Sequence, residues 1–384
     1  MSDLFTGDKK SVTFPTDYDS IIERIHRVEP ILYGKTRNYT AGAVTYLSPY
    51  VSRGVISGKQ IHDALIANGY NAVESEKLLQ ELAWREYFQR VWQNKGDSLL
   101  EDIKQPQANV LHNRMIASII HATTGIHAID QHIKDFYHTG YLHNHVRMYV
   151  ASITCNIGKA QWLLPSRWMY AHLLDGDLAS NTCSWQWVAG AFSSKAYYCN
   201  QENINRFTTS QQQNTFLDLP VEALSDVPLP ASLTDTTDWR LETILPSLPK
   251  PSIDTSRPTL LYNSYNLDPR WRKGENVNRI LLLEPSHFQK FPVSQKVLEF
   301  ILALSNNITG IQIVVGEVSE VAALYKNSAN TKDFFISKEH PAFMHYPGSK
   351  DERDWIYPTV TGYYPSFFAF WKQCQRSGRT EIMS

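Results

Sequence analysis

The chain is poor in cysteine, in export signals and in charge of either sign. Its 384 residues hold four cysteines, Cys155, Cys183, Cys199 and Cys374. None is paired as CxxC, which excludes a zinc ribbon or a thioredoxin-type redox pair and leaves reduced, partly buried thiols. No run approaches the roughly 18–20 apolar residues of a membrane span. The opening MSDLFTGDKKSVTF lacks the apolar core of a secretory leader. An intracellular protein without membrane attachment is expected. Lysine plus arginine number 37 and aspartate plus glutamate 38, a net charge of −1. Nucleic-acid binders usually carry a basic excess, so any such contact here has to come from a local patch. Phosphate-cradling loops of the GxGxxG or GxxxxGK[ST] type are missing from the C-terminal region, and no internal repeat is found.

What is present is a soluble globular composition, 42% hydrophobic and 20% charged, with length for two or three compact units. The first 215 residues or so have helical periodicity. Val73–Trp92 repeats apolar residues every three and four positions, and so does Asn144–Ile157, with Gly158 as its stop. Prolines at 220, 228, 230, 246, 249, 251, 258 and 269 mark an irregular connection. Ile280–Pro285 and Ile311–Glu317 are short apolar runs flanking a helical SQKVLEFILALSNN, the pattern of a βαβ unit. The expected organisation is a helical domain over 1–215, a proline-rich connection over 216–275, and a small α/β domain over 276–384.

Three clusters carry candidate chemistry. In DGDLASNTCSWQWVAG (Asp175–Gly190), Trp185 and Trp187 are two apart and point to different faces of a helix. In TGYLHNHVRMYVAS (Thr139–Ser152), Asn144, Arg147 and Met148 share a face. A buried Arg147 needs a partner, which Asp175 or Asp177 could supply. His143 and His145 diverge at i, i+2, against a shared metal, although seven of the thirteen histidines fall between 112 and 145. In QELAWREYF, Glu81, Trp84, Arg85 and Phe88 form one helical stripe. Alone, each cluster reads as well as a turn, a solvated ion pair or packed aromatics.

Together with YGKTRNYTAGAVTYLSPYVSRGVIS and TGIHAID, these segments resemble the DNA photolyase/cryptochrome signatures in order and spacing, over roughly residues 30–207. The resemblance implies a mainly α fold: an all-helical FAD-binding domain of photolyase type, followed here by the small α/β domain. It implies FAD, active in its reduced form. Tyr33, Thr45, Leu47 and Ser48 match the segment holding the cofactor's phosphates. Arg147 and Asp175 match an ion pair beside the isoalloxazine, Asp177 an acid near the ribityl chain, and Asn181 the residue facing flavin N5. Trp185 and Trp162 match the first two members of an electron-transfer chain. Glu81, Trp84, Asn144, Met148 and Trp187 match the lesion pocket of enzymes acting on cyclobutane dimers. The (6-4) enzymes of the family have histidines where Asn144 and Met148 stand.

Three departures accompany the resemblance. The α/β domain that precedes the helical domain in the family has no counterpart at the start of this sequence, so an antenna chromophore lacks its usual housing. His145 stands where dimer photolyases usually have an arginine contacting DNA. No third tryptophan stands near Asn109, and Trp92, Trp168 or a tyrosine is left to serve. The implied activity is light-driven repair of cyclobutane pyrimidine dimers, preferring single-stranded or locally open DNA. The alternative is a cryptochrome-like photoreceptor signalling through a protein partner.

Overall fold

The computed structural model describes residues 12–249, 251–325 and 334–383. Most of the N-terminal segment that lacks a leader's apolar core lies outside the described residues. The chain forms two compact units, each drawn from several stretches. The first gathers residues 12–14, 29–45 and 72–240; the second gathers 15–28, 46–71 and the described residues from 241 onward. This division differs from the sequence-based one, which ran a helical domain without interruption to 215. Amphipathic helices announce that one face is buried, not against what.

The longer helices of the first unit are α1 (Pro30–Thr36), α2 (Ala72–Lys95), α3 (His127–Thr139), α4 (Asn144–Ser152), α5 (Leu163–His172), α6 (Leu178–Ala189) and α7 (Gln201–Thr208). In α3, Ile129, Ile133 and Phe136 fall at i, i+4 and i+7 and are completely buried, each contributing about 1.5–3 kcal/mol by leaving water. The helix stops at Gly140, whose φ of 72° a glycine adopts without strain. Helix α4 runs into a single π turn, Ile153–Ile157. There the Asn156 amide donates to the carbonyls of Val188 and Tyr197 at 3.0 and 2.7 Å. Gly158 follows, where a Cβ would lie 2.2 Å from Ile116 Cδ1.

Trp162, Trp168 and Trp185 are the largest buried side chains of this core. The stretch after α7 is irregular, as its prolines predict, apart from short turns and a two-residue ribbon pairing Met115–Ile116 with Thr236–Thr237. Leu217, Leu224 and Leu233 are buried in the helical core, so this stretch wraps the first unit.

The second unit contains a five-stranded parallel sheet: β1 (Thr259–Tyr262), β2 (Asn278–Leu283), β3 (Ile311–Val315), β4 (Phe335–Lys338) and β5 (Ser349–Asp351). Its order is β3-β2-β1-β4-β5. The expected βαβ unit is β2, the helix Gln295–Ser305 and β3, with Leu281 opposite Ile313. The sheet begins earlier than 276, because β1 lies inside the stretch read as connection. Thr259–Tyr262 is four residues, all buried, and too short between Pro258 and the following turn to give a periodic signal. Helix Tyr18–His26 belongs to this unit: Asn307 Oδ1 accepts from Tyr18 N at 2.9 Å and its Nδ2 donates to Thr16 O at 2.7 Å. All four cysteines are buried, and among the described residues none is joined to another by a disulfide. Among the described residues no helix is long and apolar enough to cross a membrane.

Candidate functional site

The site is built where α2, α4 and α6 of the first unit pack together. Helix α6 begins at Asp177, whose Oδ1 caps the helix by accepting from Ser180 N at 2.7 Å. The other carboxylate oxygen accepts from Arg85 Nη2 at 2.8 Å and from Gln89 Nε2 at 2.7 Å. One buried acid therefore fastens α2 to the start of α6. Arg85 does not pair with Glu81 one turn away, as a solvated intrahelical pair would. Position i, i+4 makes such a pair possible, but Asp177, 3% exposed, gains more from a cation than the only partly buried Glu81 does.

Two residues earlier, Asp175 takes Arg147 from α4, with Nη2 at 3.0 and 2.8 Å from its two oxygens. Of the two acids open to Arg147 in the sequence, the structure selects Asp175. Arg147 Nε also donates to Leu142 O at 2.7 Å, and its guanidinium lies over the Tyr141 ring, 5.6 Å from the centroid. The half-buried Asn181 donates from its amide to Ser166 O at 2.9 Å, tying α6 to α5.

A second group lies on the N-terminal end of α4 and the middle of α2. Arg37 Nε meets Glu81 Oε1 at 3.3 Å. The carbonyl of the same Arg37 is 3.0 Å from His143 Nε2, and His143 caps the helix that Asn144 opens. Arg37 thus links Glu81 to His143, the N-cap residue of α4. It sits inside the quoted YGKTRNYT segment, but no periodic or spacing signal singles it out. Burial pushes the Glu81 carboxyl pKa up, against the opposing pull of Arg37 and Lys77. Trp84 is half-buried beside Phe88, 5.3 Å between centroids. Trp185 is buried and Trp187 is 37% exposed, the divergence expected of i, i+2 neighbours. Met148 is half-buried against the core and Asn144 is exposed.

His145 stacks on Phe207, with centroids 5.0 Å apart and planes at 11°, and on His143 at 6.0 Å. Burial, with Arg37 nearby, moves its pKa down from the ordinary histidine range. A stacked, desolvated imidazole of this kind stays neutral to lower pH than a free one. His143 is held down to about 3, chiefly by burial. Tyr33 and Thr45 are half-buried in the first unit, whereas Leu47 and Ser48 open a short helix, Ser48–Ser52, that belongs to the second. Among the described residues no three His, Cys, Asp or Glu side chains are grouped to hold a metal ion.

An isoalloxazine ring asks for a few fixed polar partners inside an apolar surround. Arg147, Asp175, Asp177 and Asn181 meet that demand, converging on one turn and the helix it starts. Trp162, Trp168 and Trp185 lie in the adjoining core. The residues fit a flavin.

Residues 78–243 match the family model for the FAD binding domain of DNA photolyase. The chain is 26% identical over 186 residues to a deoxyribodipyrimidine photo-lyase of Alkalihalophilus pseudofirmus, covering 47% of this chain and 39% of that protein. It is 30% identical over 153 residues to the deoxyribodipyrimidine photo-lyase of Streptomyces griseus, covering 38% and 32%. A cryptochrome DASH of Natronomonas pharaonis is 28% identical over 166 residues, covering 41% and 35%. Over residues 78–243 the chain is thus similar to the FAD binding domain shared by photolyases and cryptochromes. It spans less than two fifths of the length of these relatives.

Proposed function

We propose that the protein repairs cyclobutane pyrimidine dimers in DNA with light, using FAD in its reduced form. Bound FAD would supply the light-driven electron; the chain's own residues bind, orient and protonate. The observation that carries the reading is the position of Glu81, whose carboxylate meets Arg37 at 3.3 Å while the Arg37 carbonyl lies 3.0 Å from His143 at the start of α4.

The roles follow from elementary chemistry. A base inside a duplex has to be flipped out, at a cost of a few kcal/mol that a distorted lesion lowers. Stacking on Trp84 and Trp187 returns about 1–3 kcal/mol per base. Asn144 and Glu81 read the polar edges of the bases, Met148 packs against them, and Glu81 in its acid form shares a proton with the reduced dimer. Arg147, Asp175, Asp177 and Asn181 would hold the flavin, and Tyr33 and Thr45 would serve its phosphates. Leu47 and Ser48 match the same phosphate segment by resemblance. Trp185 and Trp162 carry electrons to the oxidised cofactor. Neither Asn144 nor Met148 can donate the proton that a (6-4) lesion needs, which favours cyclobutane dimers.

The test is to illuminate the reduced protein with dimer-containing single-stranded DNA and follow the recovery of thymine absorbance. Recovery is expected, and Glu81→Ala should lower its yield per photon more than it lowers FAD content. A protein that holds FAD but restores no absorbance would overturn the reading. One observation favours a photoreceptor that signals through a protein partner: His145, in the place of a DNA-contacting arginine, is stacked on Phe207, and burial lowers its pKa. A light-dependent change in partner binding, without thymine recovery, is the result that reading requires.

A further inference from the structure

The indole of Trp162 is completely buried, yet its Nε1 donates to Oδ1 of Asp102 at 2.6 Å, and Asp102 is an exposed residue. The loop holding that carboxylate is fastened on both sides. Gln107 N donates to Asp102 Oδ2 at 3.0 Å, Gln107 Oε1 accepts from Trp162 N at 2.9 Å, and Gln107 Nε2 donates to Ala160 O at 2.9 Å. Leu111 N to Lys159 O at 2.9 Å and Gln161 N to His112 O at 2.8 Å close the same seam. This loop passes Asn109, where no third tryptophan stands to continue an electron chain.

We propose that Asp102 is the proton acceptor of Trp162, so that the chain ends on Trp162 as a neutral indolyl radical. The proposal rests on the reading of Trp162 as an electron carrier. Removing an electron from an indole makes its N–H far more acidic, and here that proton already lies in a short bond to a carboxylate. The balance is one electron and one proton. The electron leaves Trp162 through Trp185 for a light-excited oxidised flavin. The proton leaves Nε1 for Asp102, which becomes a neutral carboxylic acid and, being exposed, returns it to water. Return of the electron then requires reprotonation of a buried nitrogen, which slows recombination. A carboxylate present only to satisfy a buried indole would be replaced without effect by any neutral acceptor.

Asp102→Asn keeps an acceptor for the bond but cannot take the proton, and Asp102→Glu keeps both. Transient absorption after a blue flash on the FAD-loaded protein is expected to show a neutral tryptophan radical in the native and Asp102→Glu proteins. In Asp102→Asn the radical should remain a cation and recombine at least about ten-fold faster, a tenfold change being about 1.4 kcal/mol in a barrier. In the flavin-free protein, the ¹⁵N indole resonance that disappears in Trp162→Phe should shift in Asp102→Asn. A neutral radical of native lifetime in Asp102→Asn, or an unmoved resonance, would overturn the proposal. If Trp162→Phe abolishes the long-lived radical while Asp102→Asn leaves it intact, only the proton acceptor is wrong. If Trp162→Phe leaves the radical unchanged, the electron-carrier reading falls and the proposal with it.

Discussion

Replacing Asp177 by alanine should destabilise the flavin-free helical unit by about 4–6 kcal/mol. Three losses add to that figure. The N-cap bond to Ser180 N contributes about 1 kcal/mol. Gln89, 0% exposed, loses the carboxylate its amide donates to, a desolvation cost of about 1–3 kcal/mol. Breaking a buried ion pair costs about 3–5 kcal/mol, but Arg85 keeps 26% exposure and can turn toward water, so about 2 kcal/mol is assigned to it. For a unit of this size each kcal/mol moves the midpoint by roughly 2–4 °C, so thermal unfolding should begin some 10–20 °C lower. Asp177→Asn is the informative partner, because asparagine caps a helix as well as aspartate and removes only the charge. It should cost about half as much. The assay is urea unfolding of flavin-free protein followed by near-UV circular dichroism, which reports the buried tryptophans. A loss below about 1 kcal/mol for Asp177→Ala would refute the view that this acid fastens α2 to α6.

Three further outcomes follow from the same geometry. Glu81 has a raised pKa in the folded protein, so it binds its proton more tightly there than in the unfolded chain. Any stability it contributes is present at low pH and lost as pH rises through the folded value. Repair yield per photon should fall across the same window, and Glu81→Gln should flatten that profile. DNA affinity of the native protein should show no step where an ordinary histidine titrates, because burial, with Arg37 nearby, moves the His145 pKa below that range. His145→Arg should tighten binding and steepen the salt dependence by about 0.7 per added contact on single strands, read by fluorescence anisotropy. An unchanged salt slope would place position 145 away from the phosphates. Gly140→Ala should cost more than about 1 kcal/mol, since φ is 72° and the new Cβ would lie 2.6 Å from Leu174 Cγ. Equal urea midpoints would show that the backbone relaxes there.

Elements with a strong period were legible in the sequence. Val73–Trp92 falls within α2, and β2, its following helix and β3 lie where alternation between apolar runs and a helical spacing put them. The electrostatic partners were less so. The sequence leaves Arg147 between two acids two residues apart, and only packing brings Asp175 to it while Asp177 turns to Arg85 and Gln89. Arg85 looked local because Glu81 is one turn away, while its partner Asp177 is 92 residues distant. Arg37 and Gln89 gave no signal, because what makes them matter is a neighbour brought in by packing. Asp102 was equally silent: an acid in an irregular loop reads as solvated until an indole N–H is found against it.

The way the chain alternates between its two units has a consequence for how it can be made and cut. The strand passes from one unit to the other five times, near residues 14, 28, 45, 71 and 240. During synthesis, residues 15–28 and 46–71 leave the ribosome long before the sheet that completes their unit. Leu267 N, which donates to Arg53 O at 3.0 Å, is more than two hundred positions downstream. Contacts of such separation close late and expose apolar surface meanwhile. A fragment ending at 240 would therefore carry two orphaned helical stretches, and one beginning at 241 would lack part of its own interior. The helical unit, which holds nearly all of the segment matched by the FAD-binding-domain model, is not a piece that scissors can free.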